Sequence, residues 1–592
     1  MTTSLVAVFI PLLFMEGMLG RLFREFAVTV AVALAVSAVV SLTLIPMMCG
    51  RLIHRTQVED EGRFGRWNAR AFEYLLHAYR VSLRWSLAHA PLMLALACAL
   101  LVATLWLAVT MPKGFIPQQD VGIIAGTVEA AADTSFAAMA GRHEALLQRL
   151  LTDPDVEAVS SFIEAAQFNR SRIYIHLKPF QQRRASVAQI IERLRPKAAE
   201  IRGVTFAMQA VQDIQIGGHL TQLLYQYTLE DANLGELYQW GPRLKSELAR
   251  LPEFQDVQSD LQATAPHASV VIDRDTAARF GITPQAIDDT LYDAFGQRQV
   301  ATLFTQLDQF HIVLEVDPNF QLDTDALSKL YLRSSSGQLV PLSAFTHTGR
   351  SVAPLAVSHQ GQFPAVTLSF SLARGVSLSQ AVQAVEAARV LIGIPPSVHA
   401  SFQGTAQAFQ ASLGSEPYLI AAAILAVYIV LGILYESLLH PLTILSTLPS
   451  AGVGALAALM LTGNDLNVMS LVGMILLIGI VKKNAIMMID FAITARKSGH
   501  SAAEAIHEAA LLRFRPITMT TLTALLGSLP LALGLGAGSE LRRPLGIAIV
   551  GGLLVSQWLT LYTTPVIYLF MERARDVLSG GVPRYLDALR RS

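Results

Sequence analysis

The stretch Leu471–Ala495, LVGMILLIGIVKKNAIMMIDFAITA, restricts the possible folds more than any other part of the chain. It is long enough to cross a bilayer as a helix, for which about 20 apolar residues suffice. Yet it carries Lys482, Lys483, Asn484 and Asp490. An ionisable group at the centre of such a helix costs roughly 2.5–3.5 kcal/mol on insertion scales, so its presence points to a function. Lysines at a helix end can snorkel to the interface. Here the apolar run begins near Leu466 and IMMIDFAITA follows the lysines, which sets at least one of them at depth. Asp490 comes seven residues after Lys483, on the same face and about two turns away.

This stretch is part of a longer apolar run, Leu466–Ala495. The other apolar stretches are Leu5–Met15 (short for a span), Phe26–Cys49, Leu92–Met111, Tyr418–Tyr435, Leu442–Leu461, Ile517–Leu535 and Leu545–Phe570. Between Met111 and Pro417 lie about 300 residues of ordinary soluble character. With 592 residues, 52% hydrophobic and 15% charged, the chain reads as a membrane part plus a sizeable soluble part. Lys+Arg and Asp+Glu both number 45, which gives no basic excess for nucleic acid. Cys49 and Cys98 lie in apolar stretches and suggest no disulfide framework. The N-terminus lacks the basic region and cleavage site of a signal peptide. No P-loop, dinucleotide fingerprint, HExxH or Ser-His-Asp signature appears, and Asp273 and Asp275 have no third ligand nearby, so neither an enzyme nor a metal site is expected.

Basic residues set the orientation. Arg51, Arg55, Arg63, Arg66, Arg70, Arg80 and Arg84 fall in one connecting segment. Arg496, Lys497, Arg513 and Arg515 fall in a second, and Arg573, Arg575, Arg584, Arg590 and Arg591 in the tail. Counting spans puts all three on one side, expected to be cytoplasmic, and the soluble part on the other. Gly65–Trp85, with arginines and aromatics interleaved, reads as an interfacial or a connecting helix. The chain also repeats itself at an offset of 519: Pro11 matches Pro530, Gly17 Gly536, Arg24 Arg543, Ser37 Ser556 and Pro46 Pro565. Internal repeats are common in transporters. Three spans and the soluble part precede the second copy, whereas nothing precedes the first, so an equivalent upstream half is expected to be missing.

In the soluble part, strand-like and helix-like patterns alternate. Strands are expected at Gly122–Glu129, Val156–Ile163, Arg172–Leu177 and Val204–Val211, with helices at Ser135–Leu151 and Ala185–Leu194. A second unit has strands at Leu223–Thr228, Phe254–Gln258, Ala365–Leu372 and Val398–Gln403 and helices at Leu234–Leu251 and Leu378–Leu391. Both read as split βαβ, ferredoxin-like units. The second is interrupted by an insertion, about Ala265–Pro354, with strands at His267–Ile272, Val300–Phe304, His311–Val316, Tyr331–Arg333 and Leu339–Pro341. Phe162, Phe168 and Tyr174 are candidates to line a pocket for apolar ligands, or are surface and core residues of an ordinary loop and strand.

Several motifs together carry a resemblance: GRLFREFAV (Gly20–Val28), MPKGFIPQQDVG (Met111–Gly122), LGILYESLLHPLTILSTLPSAGVGALAALMLTG (Leu431–Gly463), GIVKKNAIMMIDFA (Gly479–Ala492), LLRFRPITMTTLTALLGSLPLALG (Leu511–Gly534) and LTLYTTPVIYLF (Leu559–Phe570). With these the chain resembles, over essentially its whole length, the resistance–nodulation–division family of proton-driven efflux pumps, in its multidrug branch. The resemblance implies a polytopic α-helical membrane protein with a large periplasmic α+β domain, its N-terminal half absent. Residues 1–50 would be helices five and six, 51–90 a cytoplasmic or interfacial segment and 91–111 helix seven. Residues 112–218 would form one porter subdomain, 219–264 with 355–410 a second, and 265–354 an inserted docking subdomain. Residues 417–571 would hold helices eight to twelve, and 572–592 a tail. The resemblance further implies a proton relay through Lys483, Asn484, Arg513 and Thr520, with no cofactor beyond the proton gradient. Drugs would bind in a porter cleft near Phe162–Arg172. Expected partners are the lipid bilayer, a homo- or hetero-trimer, a periplasmic adaptor and an outer-membrane channel. In the family an acidic pair on helix four balances the lysine, and no VDDA-like segment occurs in any span here. This chain alone is therefore expected not to couple protons to transport. An inactive or assembly-only fragment and heavy-metal efflux are the alternatives; for the latter, Met139 and Met208 form no cluster.

Overall fold

The structure, a computed structural model, describes residues 2–15, 17–52, 63–165, 167–214, 216, 223–262, 265–321, 323–536 and 538–578. The tail arginines Arg584, Arg590 and Arg591, and Arg55, lie outside them.

The chain opens with α1 (Thr2–Ala7), α2 (Ile10–Leu13) and α3 (Gly17–Leu52). The stretch Leu5–Met15 is therefore two short helices and not one, with Pro11 in the first turn of α2, where its missing N–H costs nothing. α4 (Arg63–Ala88) and α5 (Ala90–Thr110) follow. One face of α4 is docked: Tyr79 is buried, stacks on Phe514 at 4.6 Å and donates to the Leu561 carbonyl at 2.9 Å. Its other face leaves Trp67, Tyr74 and Trp85 exposed.

The first extramembrane unit runs β1 (Ile123–Ala130), α6 (Phe136–Leu151), β2 (Val156–Ile163), β3 (Arg170–Leu177), α7 (Val187–Ala199) and β4 (Val204–Ala210). Its strand order, β2-β3-β1-β4 with antiparallel pairing, is the split βαβ arrangement. Ser135 caps α6, and Ser186 with Gln189 forms a capping box on α7. On β1 and β3 every second residue is buried. Ile124, Val128, Ile173 and Ile175 meet Met139, Leu146, Ile190 and Leu194 of the two helices. The opposite face of the sheet is left to build something else.

The second unit begins with β5 (Tyr225–Glu230), α8 (Leu234–Leu248) and β6 (Phe254–Ser259). An insertion follows: β7 (Ala265–Ile272), α9 (Arg274–Arg279), α10 (Pro284–Phe295), β8 (Arg298–Phe304), β9 (Gln309–Leu314), β10 (Tyr331–Arg333), β11 (Leu339–Pro341) and β12 (Thr346–Ala353). The unit then resumes with β13 (His359–Gln360), β14 (Phe363–Leu372), α11 (Leu378–Ile392) and β15 (His399–Gln403). Its strands order as β6-β14-β5-β15, the topology of the first unit again.

From β15 the chain enters α12 (Gly404–Tyr435) directly, then α13 (Leu439–Leu445), α14 (Leu448–Leu461), α15 (Val468–Lys497), α16 (Ala502–Leu533) and α17 (Ser539–Leu578). Among the described residues seven helical stretches are long and apolar enough to cross a membrane, and α15 is the most buried of them. The stretch Leu442–Leu461 is interrupted between α13 and α14, where Pro449 restarts the helix. α14 and α17 touch backbone to backbone: a Cβ on Gly454 would meet the Gly551 carbonyl oxygen at 2.5 Å, and one on Gly551 the Gly454 oxygen at 2.7 Å. Small residues at such crossings are how membrane helices gain packing when lipid is as apolar as they are.

The segment after α5 joins the two parts. Leu466 donates to the Pro112 carbonyl at 2.9 Å, Gly114 to the Leu466 carbonyl at 3.0 Å and Val468 to that of Phe115 at 3.0 Å. Ser379, at the start of α11, donates to the Lys113 carbonyl at 3.1 Å. The same few residues thus tie the start of α15 to the second extramembrane unit.

Candidate functional site

Two places in the molecule gather polar groups that the fold does not need for its core. The first lies on α15. Asn467 and Ser470 cap its start as a capping box. Lys482 is 1% exposed, and its ammonium donates to the carbonyl of Ser4 on α1. Lys483, one position on, is half-buried. Among the described residues no carboxylate stands in ion-pair reach of either lysine. Asp490 is exposed, about 10 Å further along the axis by helical rise.

Asn484 is buried and joins three helices: its amide donates to Thr521 Oγ1 on α16 at 3.1 Å and to Gln557 Oε1 on α17 at 3.4 Å. Thr521 also donates back to the Ile517 carbonyl. Of the four expected relay residues, Asn484 is therefore in a cross-helix network. Thr520 is not: its hydroxyl is turned to the Ile517 carbonyl of its own helix at 3.1 Å. Arg513 lies over the Phe491 ring at 5.4 Å, with a buried Nε that has no hydrogen-bond partner among the described residues. No hydrogen bond joins Lys483, Arg513 and Thr520. The sequence reading missed Thr521 and Gln557. Gln557 was visible as a lone amide in an otherwise apolar span, the kind of residue that marks a buried polar contact.

The second place is a cleft of about 430 Å³ between the two extramembrane sheets. Its walls are the faces of the sheets that their own helices leave free. Arg170, Arg172 and Tyr174 come from β3, Gln226 from β5 and Ala365, Thr367 and Ser369 from β14, in each case alternate residues of a strand. Tyr174, expected in a pocket, lines this cleft; Phe162 and Phe168 do not. Phe162 pairs with Arg172 and shares its face, but the strand order puts β2 at the outer edge, one strand beyond the cleft. It is 51% exposed, and Phe168 is 53% exposed with its ring edge-on to Phe136 at 5.8 Å.

The walls are charged. Arg172 binds Glu164 at 2.7 Å, a contact that holds its guanidinium above the usual arginine value. Arg170 binds Glu129 at 3.4 Å, and Gln262 donates to the same Glu129 oxygen at 2.6 Å. Burial pushes the Asp260 carboxyl above the usual carboxylate range. Asp273, considered above as a ligand, is instead the N-cap of α9, accepting from the Asp275 and Thr276 amides at 3.2 Å each.

Apolar helices long enough to span a membrane, one of them with a buried lysine, carry a large two-sheet domain with an internal cleft. The model of the AcrB/AcrD/AcrF family matches residues 1–572, and the chain belongs to that family of resistance–nodulation–division transporters.

Proposed function

We propose that this chain is the inner-membrane subunit, of MdtC-like kind, of a tripartite pump that exports drugs or amphiphilic compounds in exchange for protons. The extramembrane domain stands in the periplasm, and the cleft between the two sheets receives the cargo. The subunit works in a homo- or hetero-trimer, with the insertion of residues 265–354 turned to a periplasmic adaptor and an outer-membrane channel. The observation that carries the reading is the shared anchor: residues 112–115 hydrogen-bond both the start of the lysine-bearing α15 and the unit that forms one wall of the cleft.

The relay assignment is part of the proposal. Lys483 is the residue whose charge is balanced or released by a carboxylate as protons pass, with Asn484, Arg513 and Thr520 shaping its surroundings. A buried cation needs such a counter-charge, and protonating the carboxylate weakens the attraction so that the helices shift. Among the described residues neither lysine has that partner, and we place the carboxylate outside this chain. The test is probe efflux from proteoliposomes under a proton gradient. The chain alone is expected to move no probe, and the chain with a partner supplying acidic membrane residues is expected to move it, unless Lys483→Met is present. Gradient-driven efflux by the chain alone would refute the need for an outside carboxylate, and full activity of Lys483→Met would refute the relay.

A further inference from the structure

We propose that the outer face of α4 binds the headgroups of anionic phospholipids, in the leaflet against which this helix lies. The site is apart from both the cleft and α15.

α4 stands between two spans, α3 and α5, and is itself too polar to cross. Only His89 separates it from α5, so its last turn lies where a span begins. Trp85 stacks on that histidine with ring centroids 4.7 Å apart. At about 100° per residue, three sectors run along the helix. The docked sector holds Phe72, Leu76, Tyr79 and Leu83: Tyr79 and Leu83 are buried, Tyr79 stacks on Phe514, and the Arg515 guanidinium lies over the Phe72 ring at 5.4 Å. Roughly opposite, Trp67, Tyr74, Val81 and Trp85 fall within about 40° of one another. All four are exposed. Tyr74, Val81 and Trp85 line an open hollow together with His77, Ala78 and Ser82.

The sector beside the aromatic one is basic. Arg70, Arg80 and Arg84 are exposed, and among the described residues none of them has an ion-pair or hydrogen-bond partner. Glu73 and His77 are exposed on the same flank. Three guanidiniums therefore stand with one carboxylate. The neighbouring helices do not restore the balance. On α16, Arg80 and Arg84 approach His507, Glu504 accepts from the capping Ser501 hydroxyl at 2.7 Å, and Glu508 has no ion pair among the described residues. α17 meets α4 with Leu561 and Tyr562 and carries no charged residue from Pro544 to Met571, and α5 carries none at all.

Trp and Tyr settle at headgroup level, where one end of the ring system is apolar and the other wet. Guanidiniums bind phosphates through paired N–H groups, and basic clusters next to a span attract anionic leaflets. A soluble polyanion would use the arginines and leave the aromatic stripe in water. A neutral lipid would use the stripe and leave the arginines unbalanced. An anionic phospholipid uses both.

The test is fluorescence quenching in phosphatidylcholine proteoliposomes by lipids brominated near the headgroup. Two of the chain's five tryptophans are on α4. The full chain carries Trp106→Phe, Trp240→Phe and Trp558→Phe, so that Trp67 and Trp85 alone report. Brominated phosphatidylglycerol is expected to quench at least twice as strongly as brominated phosphatidylcholine at the same small share of the lipid. Arg70→Gln, Arg80→Gln and Arg84→Gln together are expected to make the two equal. Equal quenching with the arginines in place would overturn the headgroup preference. No quenching by either lipid would mean that protein or water covers the face, and would overturn the site. A preference that survives the triple change would overturn the role of these arginines. A second measurement keeps every tryptophan: mass spectrometry of the intact chain from micelles holding equal phosphatidylglycerol and phosphatidylcholine. Phosphatidylglycerol is expected to be retained in excess, and the triple arginine variant to lose at least half of that excess. No excess, or an excess the variant leaves unchanged, overturns the inference. Added inorganic phosphate at constant ionic strength is expected to alter neither reading; abolition of the preference would show a site for free anions and not for lipid.

Discussion

Removing the side chain of Arg183 tests how the first wall of the cleft is held. Arg183 and Asp120 form an ion pair with side chains only 2% and 7% exposed. Asp120 lies just before β1 and also accepts the Val187 N–H at the start of α7 at 3.0 Å and the Gly122 N–H at 3.2 Å. Arg183 further donates to the carbonyls of Lys178 at 3.0 Å and Ala185 at 3.1 Å. Arg183→Met therefore leaves a buried carboxylate with amide donors but no cation. Breaking a buried pair from one side costs about 3–5 kcal/mol. A domain's stability is about 5–15 kcal/mol, so the unit should still fold. Each 1.4 kcal/mol is a factor of ten, so the protected amides of β1 should exchange with deuterium roughly a hundredfold to a few thousandfold faster. Peptides covering residues 123–130, followed by mass spectrometry on the intact protein, give that reading. Adding Asp120→Asn removes the stranded charge while keeping an oxygen for the two amides, and should recover at least half of the loss. Acceleration below tenfold in the single variant, or no recovery in the double, would show that the pair is not what holds this strand.

Other expectations are as direct. Asn484→Leu and Gln557→Leu should each lower stability in micelles by about 0.6–1.7 kcal/mol, the range for hydrogen bonds between membrane helices, and the double variant should cost less than the sum; strict additivity would deny the shared network. Gly454→Ala should separate α14 from α17 and cost about 1–3 kcal/mol as overpacking, read as a lower midpoint of thermal unfolding. Tyr174→Ala should weaken probe binding in the cleft, while Phe162→Ala and Phe168→Ala leave it unchanged; the reverse pattern would move the cleft towards β2. His143, bridged to Ser171 and Ser161 at 2.9 Å each, is held below the usual histidine value by burial. The unfolded chain then takes the proton first, so stability is intact above about pH 6.5 and falls as the pH drops below it. Urea midpoints at pH 5.5 and 7.5 should differ, and His143→Gln should narrow the difference.

Local signals carried much of the fold. The helices expected from Ser135, Ala185 and Leu378 start within two residues of those points, each behind a capping serine (135, 186 and 377) that needs only its own neighbours. Alternation placed Val156–Ile163 and the short strands Tyr331–Arg333 and Leu339–Pro341 at the bounds observed. β12 went unseen because six of its residues are exposed in a row, which leaves no period to read. The cleft was harder for a different reason. Which strand is at the edge is a property of the whole sheet, so Phe162 looked equivalent to Tyr174 until the order was known. On α16 the difficulty is angular: successive residues point about 100° apart, so Thr520 and Thr521 differ completely in what they face. Motif matching pointed to Thr520, and only packing told that Thr521 is the threonine that meets Asn484.

The insertion between β6 and β14 leaves and returns through a pair of strands. Ala265 is directly opposite Ala353, and Leu355 donates to the Gln262 carbonyl at 3.0 Å. Its two ends are therefore already side by side. Topologically the whole excursion replaces the turn of a β-hairpin, and a two-residue Asn-Gly turn would close the gap. The second extramembrane unit does not depend on the excursion for its strand order. A lineage could lengthen, exchange or shed this module without disturbing the wall of the cleft, so on the proposed reading the surface turned to other proteins is free to diverge faster than the surface turned to cargo.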